Sequence, residues 1–290
     1  MKIYINGKFY SKEDAKISVY DHGLLYGDGV FEGITFYNGK IFRLAQHIRR
    51  LYESAQTIML KIPLSFGKMI EDVKKTVELS GLKNGYIRLI VTRGEGNLGL
   101  NPFTCQQPQV IIIADKIALY PKELYATGLN VITVPTLRTP SEAMSPRVKS
   151  LNYLNNIMAK MEAINAGADE ALMLNANGFV AECAGDNIFT VKDNAVYTPG
   201  PSAGILKGVT RDAVIELAEK NGLMVYEIDM SRHDIYNADE CFLTGSAAEI
   251  VPVIKLDGRT IGSGKPGPVT KTLLEQFKKL IETEPEVVCK

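Results

Sequence analysis

Two stretches of the chain carry apolar residues at the three- and four-residue spacing of an α-helix. In the first, the apolar positions are Leu44, Ile48, Leu51, Ala55 and Ile58. In the second, which covers residues 152–165, they are Leu154, Ile157, Met158 and Met161. Both patterns predict an amphipathic helix, an element that ordinarily turns its apolar face toward the core.

Alternating and β-branched residues predict the strands. Residues 3–5 and 8–10 flank Asn6–Gly7, a favoured two-residue turn, and so predict a hairpin. Further strands are predicted over 86–92, 109–114, 129–134, 223–228, 240–245 and 250–256, and further helices over 68–80, 209–221 and 268–282. The glycine-rich run DHGLLYGDGVFEGI, residues 21–34, is assigned no element.

The order of these elements predicts a mixed α+β fold in two lobes. Strands come in clusters with helices between them, which indicates an α+β lobe followed by a mixed sheet or barrel with helices outside. A length of 290 residues suits two compact lobes. Residues 119–127 include Pro121 and have little strand character. The predicted domains are therefore 1–118 and 128–290, joined by an interdomain loop over 119–127.

Composition argues against several classes of function. Lys+Arg and Asp+Glu are equal at 33 each, so no overall field favours nucleic acid or an anionic membrane as a partner. The N-terminus lacks the apolar core of a signal peptide, and no apolar run reaches the roughly 18 residues of a spanning helix. A cytoplasmic protein is therefore expected.

Cysteine, histidine and glycine patterns argue against a metal or nucleotide site. Cys105, Cys183, Cys241 and Cys289 form no CxxC pair, and His22, His47 and His233 lack metal-ligand spacing. Residues 94–99, GEGNLG, match a dinucleotide fingerprint, but Pro102 opposes the helix that this motif requires. Residues 262–266, GSGKP, lack the first glycine and the Ser or Thr of a P-loop.

Lys149 and Glu182 are the first candidates for catalysis. A single lysine is ordinarily a solvated surface residue, and Lys149 and Tyr153 converge on one pocket only if a helix begins between them. Glu182 lies between two short apolar strands. A carboxylate at the end of a buried strand needs a partner, such as an arginine or a protonated pyridine nitrogen.

Two turns and one strand are candidates for anion binding. After Gly208, Val209 and Thr210 would offer N–H groups and a hydroxyl to a phosphate, although a simple helix cap gives the same pattern. Residues 244–248, TGSAA, form a second turn whose small side chains let N–H groups approach an anion. Tyr86 and Arg88 share one strand face and would suit a substrate carboxylate if that face points inward.

Taken in order along the chain, these segments resemble the branched-chain amino acid aminotransferases, which are fold-type IV enzymes that use pyridoxal 5'-phosphate. The segments are DHGLLYGDGVFEGI (21–34), HIRRL (47–51), YIRLIVTRGEGNLGLNP (86–102), KSLNYLNN (149–156), DEALMLNANGFVAECAGDNIF (169–189), LKGVTRDAV (206–214), FLTGSAAEIVPV (242–253) and KPGPVTK (265–271). The resemblance implies a small N-terminal α/β lobe and a larger C-terminal pseudo-barrel lobe.

The resemblance also implies a role for each site residue. Lys149 carries the cofactor as a Schiff base, Glu182 binds the pyridine nitrogen, and Tyr153 binds the phenolate oxygen. The remaining cofactor-binding residues, most of them around the phosphate, are Arg50, Leu206, Val209, Thr210, Gly245 and Ser246. The residues implied around the substrate are Tyr26, Phe31, Gly33, Tyr86, Arg88 and Ala247.

The implied activity is transfer of the amino group from L-leucine, L-isoleucine or L-valine to 2-oxoglutarate. The products are branched 2-oxo acids and glutamate. A homodimer or homohexamer is implied as well. Enzymes of the same fold leave three alternatives open, namely a D-amino acid transaminase, an (R)-selective amine transaminase and an aminodeoxychorismate lyase.

The sequence departs from the family pattern at three places. Thr35 and Phe36 stand where the family commonly has an arginine and a small residue, a change expected at the rim of the substrate pocket. Ser246 replaces the commoner threonine and keeps the hydroxyl. Cys183 follows Glu182 where glycine is common.

Overall fold

The computed structural model describes residues 2–117 and 119–283. The chain forms two compact units. The described part of unit 1 comprises residues 2–117 and 148–152, and that of unit 2 comprises residues 119–147 and 153–283. Residues 119–127, predicted to be an interdomain loop, therefore belong to unit 2, and residues 148–152 belong to unit 1.

Unit 1 is built on an antiparallel sheet of six strands in the order β2-β1-β6-β5-β3-β4. Its strands are β1 (Ile3–Ile5), β2 (Lys8–Tyr10), β3 (Gly29–Tyr37), β4 (Lys40–Ile41), β5 (Gly85–Thr92) and β6 (Gln109–Asp115). Its helices are α1 (His22–Tyr26), α2 (Leu44–Thr57), α3 (Phe66–Ser80) and a short 3-10 turn (Pro102–Thr104).

The predicted hairpin and helices of unit 1 are confirmed. Asn6 and Gly7 have φ angles of 48° and 88°. Positive φ angles at both central residues are the conformation of a two-residue hairpin turn. The apolar face of α2 is buried, with Ile48 and Leu51 fully inaccessible in one core with α3. Gly81 ends α3 in the left-handed conformation at φ 69°, as its C-cap position predicts.

β3 is an element that the sequence did not predict. Alternate residues of β3, among them Val30 and Ile34, lie in the core with α2 and α3, so the odd-numbered residues face the other side of the sheet. Gly33 stands on that other side, where a Cβ atom would collide with the hydroxyl of Tyr86. Glycine is thus required inside this strand because an aromatic side chain of the next strand crosses it.

Residues 148–152 join unit 1 through main-chain hydrogen bonds with β3. The Phe31 N–H donates to the carbonyl of Lys149 at 2.9 Å, and the Leu151 N–H donates to the carbonyl of Gly29 at 2.9 Å. The segment therefore runs alongside the start of β3 as a short extra strand-like pairing. A local sequence pattern could not predict this, because the partners are more than 100 residues apart in the chain.

Unit 2 is built on a mixed sheet in the order β12-β11-β10-β13-β14-β7-β8-β9, with β15 paired to β14. Its strands are β7 (Leu129–Thr133), β8 (Glu170–Leu174), β9 (Val180–Cys183), β10 (Asn187–Lys192), β11 (Ala195–Pro199), β12 (Met224–Ile228), β13 (Glu240–Gly245), β14 (Glu249–Leu256) and β15 (Arg259–Thr260). Its helices are α4 (Lys122–Thr127), α5 (Leu154–Asn165), α6 (Val209–Lys220), α7 (Arg232–Tyr236), α8 (Pro268–Thr283) and a 3-10 turn (Pro201–Ala203).

The sheet of unit 2 curls back on itself. β9 ends the order of strands, yet the Val180 N–H at its start donates to the carbonyl of Met230, just after β12 at the other end, at 2.8 Å. The two ends of the sheet therefore meet, as in an incompletely closed barrel. This arrangement, with helices outside, confirms the predicted mixed α+β fold with a C-terminal pseudo-barrel.

The apolar face of α5 is not the face that packs on the core. The helix forms, but its buried residues are Asn156, Ala159 and Ala163. The apolar residues that predicted it, together with one more in the last turn, are exposed by 42–63%: Leu154, Ile157, Met158, Met161 and Ile164. Small and polar side chains face the sheet because Asn156 and Lys160 each donate a hydrogen bond to main-chain carbonyls behind the helix.

No helix among the described residues is long and apolar enough to cross a membrane.

Candidate active site

The outer face of the unit 1 sheet carries the first group of candidate residues. β3 and β5 pair so that Gly33 lies opposite Arg88 and Thr35 opposite Tyr86. Arg88 places its guanidinium carbon 5.4 Å from the centre of the Tyr86 ring, which confirms that these two side chains share a face. Because Gly33 has no side chain, the Tyr86 hydroxyl fits over β3 at this position.

The ring of Phe31 is the centre of this face. The guanidinium carbon of Arg88 lies 4.5 Å from the ring centre, and the Nζ atom of Lys149 also lies 4.5 Å from it. Both cations are within the range in which an aromatic ring attracts positive charge. An apolar ring surface, a guanidinium and a primary amine thus meet at one side chain.

The main chain of Lys149 is fixed from two sides. Its carbonyl accepts from the Phe31 N–H at 2.9 Å, and its N–H donates to the Ser54 hydroxyl of α2 at 3.2 Å. Lys149 is half-buried, unlike an ordinary surface lysine. The amine is therefore presented from a rigid main chain, which suits a group that must hold a reactive molecule in one orientation.

A buried ionic cluster lies on the inner side of β3. Glu32 is fully inaccessible and accepts from Nε and Nη2 of Arg50, each at 2.7 Å, and from Nδ1 of His47 at 2.7 Å. His47 and Arg50 are three residues apart on α2 and so share one helix face. Glu32 therefore orients Arg50, one of the residues expected at the phosphate. Glu32 and His47 are site residues that were not predicted from the sequence.

The protonation states in this cluster follow from burial and charge. Burial favours the neutral form of Glu32, but Arg50 and the hydrogen bonds outweigh burial and hold the pKa of Glu32 well below its ordinary value. Burial lowers the pKa of His47, and the positive charges of Arg50 and Lys149 offset part of the opposite effect of Glu32. The cluster is thus a carboxylate, a guanidinium and a neutral imidazole that donates from Nδ1.

Tyr26 is held by a different part of unit 1. It lies at the end of α1, its hydroxyl donates to the carbonyl of Leu98 at 2.6 Å, and its ring packs edge-on against His22. These contacts hold the phenol against the 97–98 loop. Its expected place beside the substrate stays a prediction.

The second group of candidate residues lies in unit 2, around Glu182. This buried carboxylate of β9 accepts from Nε of Arg138 at 2.8 Å, from the side-chain amide of Asn187 at 3.1 Å and from the Leu206 N–H at 2.9 Å. The expected partner of the buried carboxylate therefore includes an arginine. These donors hold the Glu182 carboxyl group in one orientation.

Arg138 and Asn187 are site residues that the sequence analysis missed. Arg138 lies 44 residues before Glu182 in a segment without regular structure, so no spacing points to it. Asn187 opens β10, and its amide also donates to the carbonyl of Leu206 at 2.9 Å. Leu206, an expected cofactor-binding residue, is therefore held by Glu182 at its N–H and by Asn187 at its carbonyl.

The start of α6 has the features of a phosphate site. Gly208 is its N-cap, and a Cβ atom there would collide with the Asn187 side chain, so the main chain passes close to that residue. Val209 and Thr210 follow in the first helical turn. Thr210 is buried, and its hydroxyl has no hydrogen-bond partner among the described residues. A buried hydroxyl at a helix N-terminus without a partner fits an anion as its ligand.

The turn after β13 adds a second orphaned hydroxyl. Thr244 is buried, pairs with Asn187 across the sheet, and its hydroxyl also has no partner among the described residues. Gly245, Ser246 and Ala247 follow as a half-exposed turn. A Cβ atom at Gly245 would collide with the carboxyl of Asp186, so only glycine fits there.

The other predicted positions are placed as follows. Tyr153 is the N-cap residue of α5 and half-buried. Phe36 is fully buried in the unit 1 core, so its departure from the family pattern lies away from the outer face, whereas Thr35 lies on that face opposite Tyr86. Cys183 is a free thiol whose pKa is raised by burial, and Cys289 lies outside the described residues.

Comparison with known proteins identifies the relatives of this chain. The family model described as amino-transferase class IV matches residues 29–256. A Methanocaldococcus jannaschii protein with the provisional name branched-chain-amino-acid aminotransferase is 51% identical over 280 residues, which cover 97% of this chain and 96% of the relative. A D-alanine aminotransferase of Bacillus licheniformis is 36% identical over 284 residues, which cover 98% of both chains.

Solved structures give the same result. The branched-chain amino acid aminotransferase of Escherichia coli superimposes with a TM-score of 0.95 at 35% identity, and the match covers 99% of this chain and 97% of that one. The branched-chain amino acid aminotransferase of Thermobaculum terrenum, solved in its PLP-bound holo-form, has a TM-score of 0.88 at 31% identity, and the match covers 97% of this chain and 93% of that one.

Proposed function

Because the chain belongs to the class IV aminotransferases, we propose that it transfers the amino group of branched-chain L-amino acids to 2-oxoglutarate with pyridoxal 5'-phosphate as cofactor. The observation that carries the proposal is the contact of both Lys149 and Arg88 with the ring of Phe31. This contact joins a reactive amine, a carboxylate-binding group and an apolar surface, which are the three things that such a reaction needs.

The residues of unit 2 fit the cofactor. Its phosphate would be held by the N-terminus of α6, where the buried hydroxyl of Thr210 has no partner among the described residues. Its pyridine nitrogen would be held by Glu182, which Arg138 and Asn187 hold in one orientation. Bound there, pyridoxal phosphate supplies an electron-withdrawing ring that stabilises negative charge at the substrate Cα.

The residues of unit 1 would then do three jobs. Lys149 would hold the cofactor and would move a proton at the substrate Cα. The ring of Phe31 contacts an aliphatic side chain and excludes water from it. Arg50, oriented by Glu32, donates to the phosphate.

Recognition of two unlike substrates follows from the outer face of the unit 1 sheet. Branched-chain amino acids need an apolar surface, and 2-oxoglutarate brings a second carboxylate. Arg88 lies over Phe31 and beside Tyr86, so it can donate to that carboxylate without leaving the apolar ring. One pocket therefore serves both half-reactions.

A substrate panel tests this function. With 2-oxoglutarate as acceptor, L-leucine, L-isoleucine and L-valine should be turned over and D-alanine should not. The variant Arg88→Gln should raise the KM for 2-oxoglutarate at least tenfold more than the KM for L-leucine, since only the former loses an ionic contact. The D-alanine aminotransferase among the relatives makes D-amino acid transfer the second candidate, and turnover of D-alanine alone would establish it. Turnover of an (R)-amine would indicate an (R)-selective amine transaminase, and release of pyruvate from aminodeoxychorismate would indicate the lyase.

We infer in addition that the protein self-associates through the exposed stripe of α5. A fully exposed Leu, Ile or Met offers about 150–200 Å², so the stripe presents on the order of 450 Å² of apolar surface. A standard interface buries about 800 Å² per partner, of which roughly 60% is apolar. The stripe alone thus supplies nearly all of the apolar area that one such interface needs.

The charges of α5 favour a second copy of this chain as the partner that covers the stripe. Lys160 and Glu162 are the only charged residues of the helix. Lys160 bonds to Glu170 and Glu162 bonds to Thr136, both within unit 2. The stripe is therefore uncharged and has the same chemistry along its length, which suits antiparallel pairing with an identical helix across a two-fold axis.

A further inference from the structure

Four polar side chains form a chain of hydrogen bonds inside unit 2. The Tyr120 hydroxyl lies 2.8 Å from Oε2 of Glu170 and 2.9 Å from Oδ2 of Asp186. Glu170 also accepts from Nζ of Lys160 at 2.8 Å. Tyr120, Glu170 and Asp186 are all buried. The proposed reaction uses none of the four.

The number of protons shared by these hydrogen-bonded side chains follows from their geometry. A phenol has one proton to donate, yet the Tyr120 oxygen is within hydrogen-bond distance of two carboxyl groups. Two ionised carboxylates would leave one of these contacts without a proton between two oxygens, at a repulsive distance. One of the two carboxyl groups must therefore be a neutral acid that donates to Tyr120.

Asp186 is the group that holds the proton. Glu170 accepts a hydrogen bond from the ammonium of Lys160 at Oε2 and another from the Ala171 N–H at Oε1, each at 2.8 Å, so both of its oxygens already face donors. Among the described residues, the carboxyl of Asp186 has Tyr120 as its only hydrogen-bond partner. In agreement, burial and the charge of Glu170 raise the pKa of Asp186 to about 7.

The charged and titratable groups around Asp186 come from every neighbouring element, and most oppose its ionisation. Glu170 on β8 and Glu182 on β9 repel a charge there, while Lys160 on α5 attracts it. Tyr125 on α4 and the thiol of Cys183 on β9 also face it. Two further groups act on these neighbours, namely Glu249 of β14 on Tyr125 and Cys241 of β13 on Cys183.

Asp186 connects two parts of the candidate site. It lies in the turn between Glu182 of β9 and Asn187 of β10, where its carbonyl accepts from the Cys183 N–H at 2.8 Å. Its Oδ1 atom lies against Gly245, at the start of the Gly245–Ala247 turn. The side chain is thus packed between the strand end that carries the pyridine-binding carboxylate and the turn that is proposed near the phosphate.

We propose that Asp186 is a neutral carboxylic acid in the folded protein and a positioning residue for Glu182 and Gly245. The acid donates to Tyr120, Tyr120 donates to Glu170, and Lys160 neutralises Glu170. Ionisation would place a third buried negative charge beside Glu182 and break the bond to Tyr120, which loosens the turn on which both site elements depend. The positioning role rests on the proposed function, whereas the protonation state does not.

Unfolding of the cofactor-free protein tests the protonation state. The folded protein holds a proton on Asp186 that the unfolded chain loses near its ordinary pKa, so stability falls as pH rises from about 4 to about 7. Asp186→Asn keeps the shape and a donor for Tyr120 but cannot ionise. The unfolding constant of the wild type relative to this variant should therefore rise about tenfold per pH unit between pH 5 and 7.

The control and a second measurement keep this test decisive. Asp229→Asn changes an exposed aspartate of unit 2, and its ratio to the wild type should stay constant with pH. The infrared difference spectrum between the wild type and Asp186→Asn at pH 6 should contain the carbonyl stretch of a neutral carboxylic acid, and that band should disappear by pH 9. A constant ratio for Asp186→Asn, or no such difference band at pH 6, would overturn the proposal.

Cofactor affinity tests the positioning role. At pH 6 the wild type and Asp186→Asn should bind pyridoxal phosphate equally, and at pH 8.5 the wild type should bind at least fivefold more weakly than the variant. If unfolding follows the predicted pH dependence and affinity does not, Asp186 is neutral but does not position the site. If neither protein binds the cofactor at any pH, the proposed function fails while the unfolding result still decides the protonation state.

Discussion

α2 and α5 carry almost the same apolar pattern, but the fold uses them in opposite ways. α2 turns Ile48 and Leu51 into the core and, from the same side, presents His47 and Arg50 to a buried glutamate. α5 turns Asn156 and its alanines inward and exposes its apolar stripe, including Ile157. Helical spacing of apolar residues thus establishes that a face must be covered, and leaves open whether the core or another chain covers it.

The reason for the difference lies in what each helix packs against. The inner face of β3 is apolar apart from Glu32, so an apolar helix face with two basic or aromatic nitrogen donors complements it. The strand ends behind α5 expose main-chain carbonyls and Glu170, which need donors, and Asn156 and Lys160 supply them. Because these acceptors take the polar side of α5, the apolar side of the helix faces outward.

The largest loss of stability is expected from removing the charge that α2 covers. Glu32→Gln leaves Arg50 without its buried counter-charge and should lower the free energy of unfolding by about 3 kcal/mol or more. Chemical denaturation followed by circular dichroism measures this. Glu53→Gln, on the exposed side of α2, is the matched control and should change stability by less than about 0.5 kcal/mol. Equal effects of the two changes would show that the buried cluster does not hold α2.

A smaller effect separates the apolar faces of the two helices. Ile48→Ala removes a fully buried side chain and should lower the free energy of unfolding by about 2–4 kcal/mol. Ile157→Ala removes a side chain that is half exposed within one chain and should cost less than about 1 kcal/mol in a dilute, dissociated sample. If both substitutions lower the free energy of unfolding equally in the dilute sample, the proposed difference between the two helix faces is contradicted.

The smallest effect on the single chain is expected from Ile157→Glu, which tests the exposed stripe as an interface. The wild type should sediment as a dimer or larger assembly, with an unfolding midpoint that rises with protein concentration. The variant should have a lower mass and a midpoint independent of concentration, because a charge in the centre of the interface is desolvated without a partner. A wild type that stays monomeric at tens of micromolar would contradict the proposed interface.

Local patterns in the sequence predicted much of the fold. The hairpin at Asn6–Gly7 and the helix that ends at Gly81 follow from residue preferences within a few positions, and both are confirmed. β3 was missed because its glycines are typical of a loop. Gly33 is required there by Tyr86 of another strand, and such a requirement becomes visible only when the strands are side by side.

Part of the candidate site could likewise be predicted from the sequence, and part of it could not. Tyr86 and Arg88 were placed on one face by the period of two, and the structure confirms this. Glu32 could have been suspected as a carboxylate in an apolar strand, with His47 and Arg50 at helical spacing as its partners. Arg138 could not, because its contact with Glu182 depends on how distant segments meet.

The proposed function depends most on Lys149 as the residue that binds the cofactor. The holoenzyme should be yellow, and borohydride should attach the cofactor irreversibly to one peptide, which contains Lys149. Lys207, beside the N-terminus of α6, is the matched control. Lys207→Ala should keep the label on Lys149, whereas Lys149→Ala should carry no label and lose nearly all transamination. Label on another lysine of the wild type, or wild-type turnover by Lys149→Ala, would contradict the account.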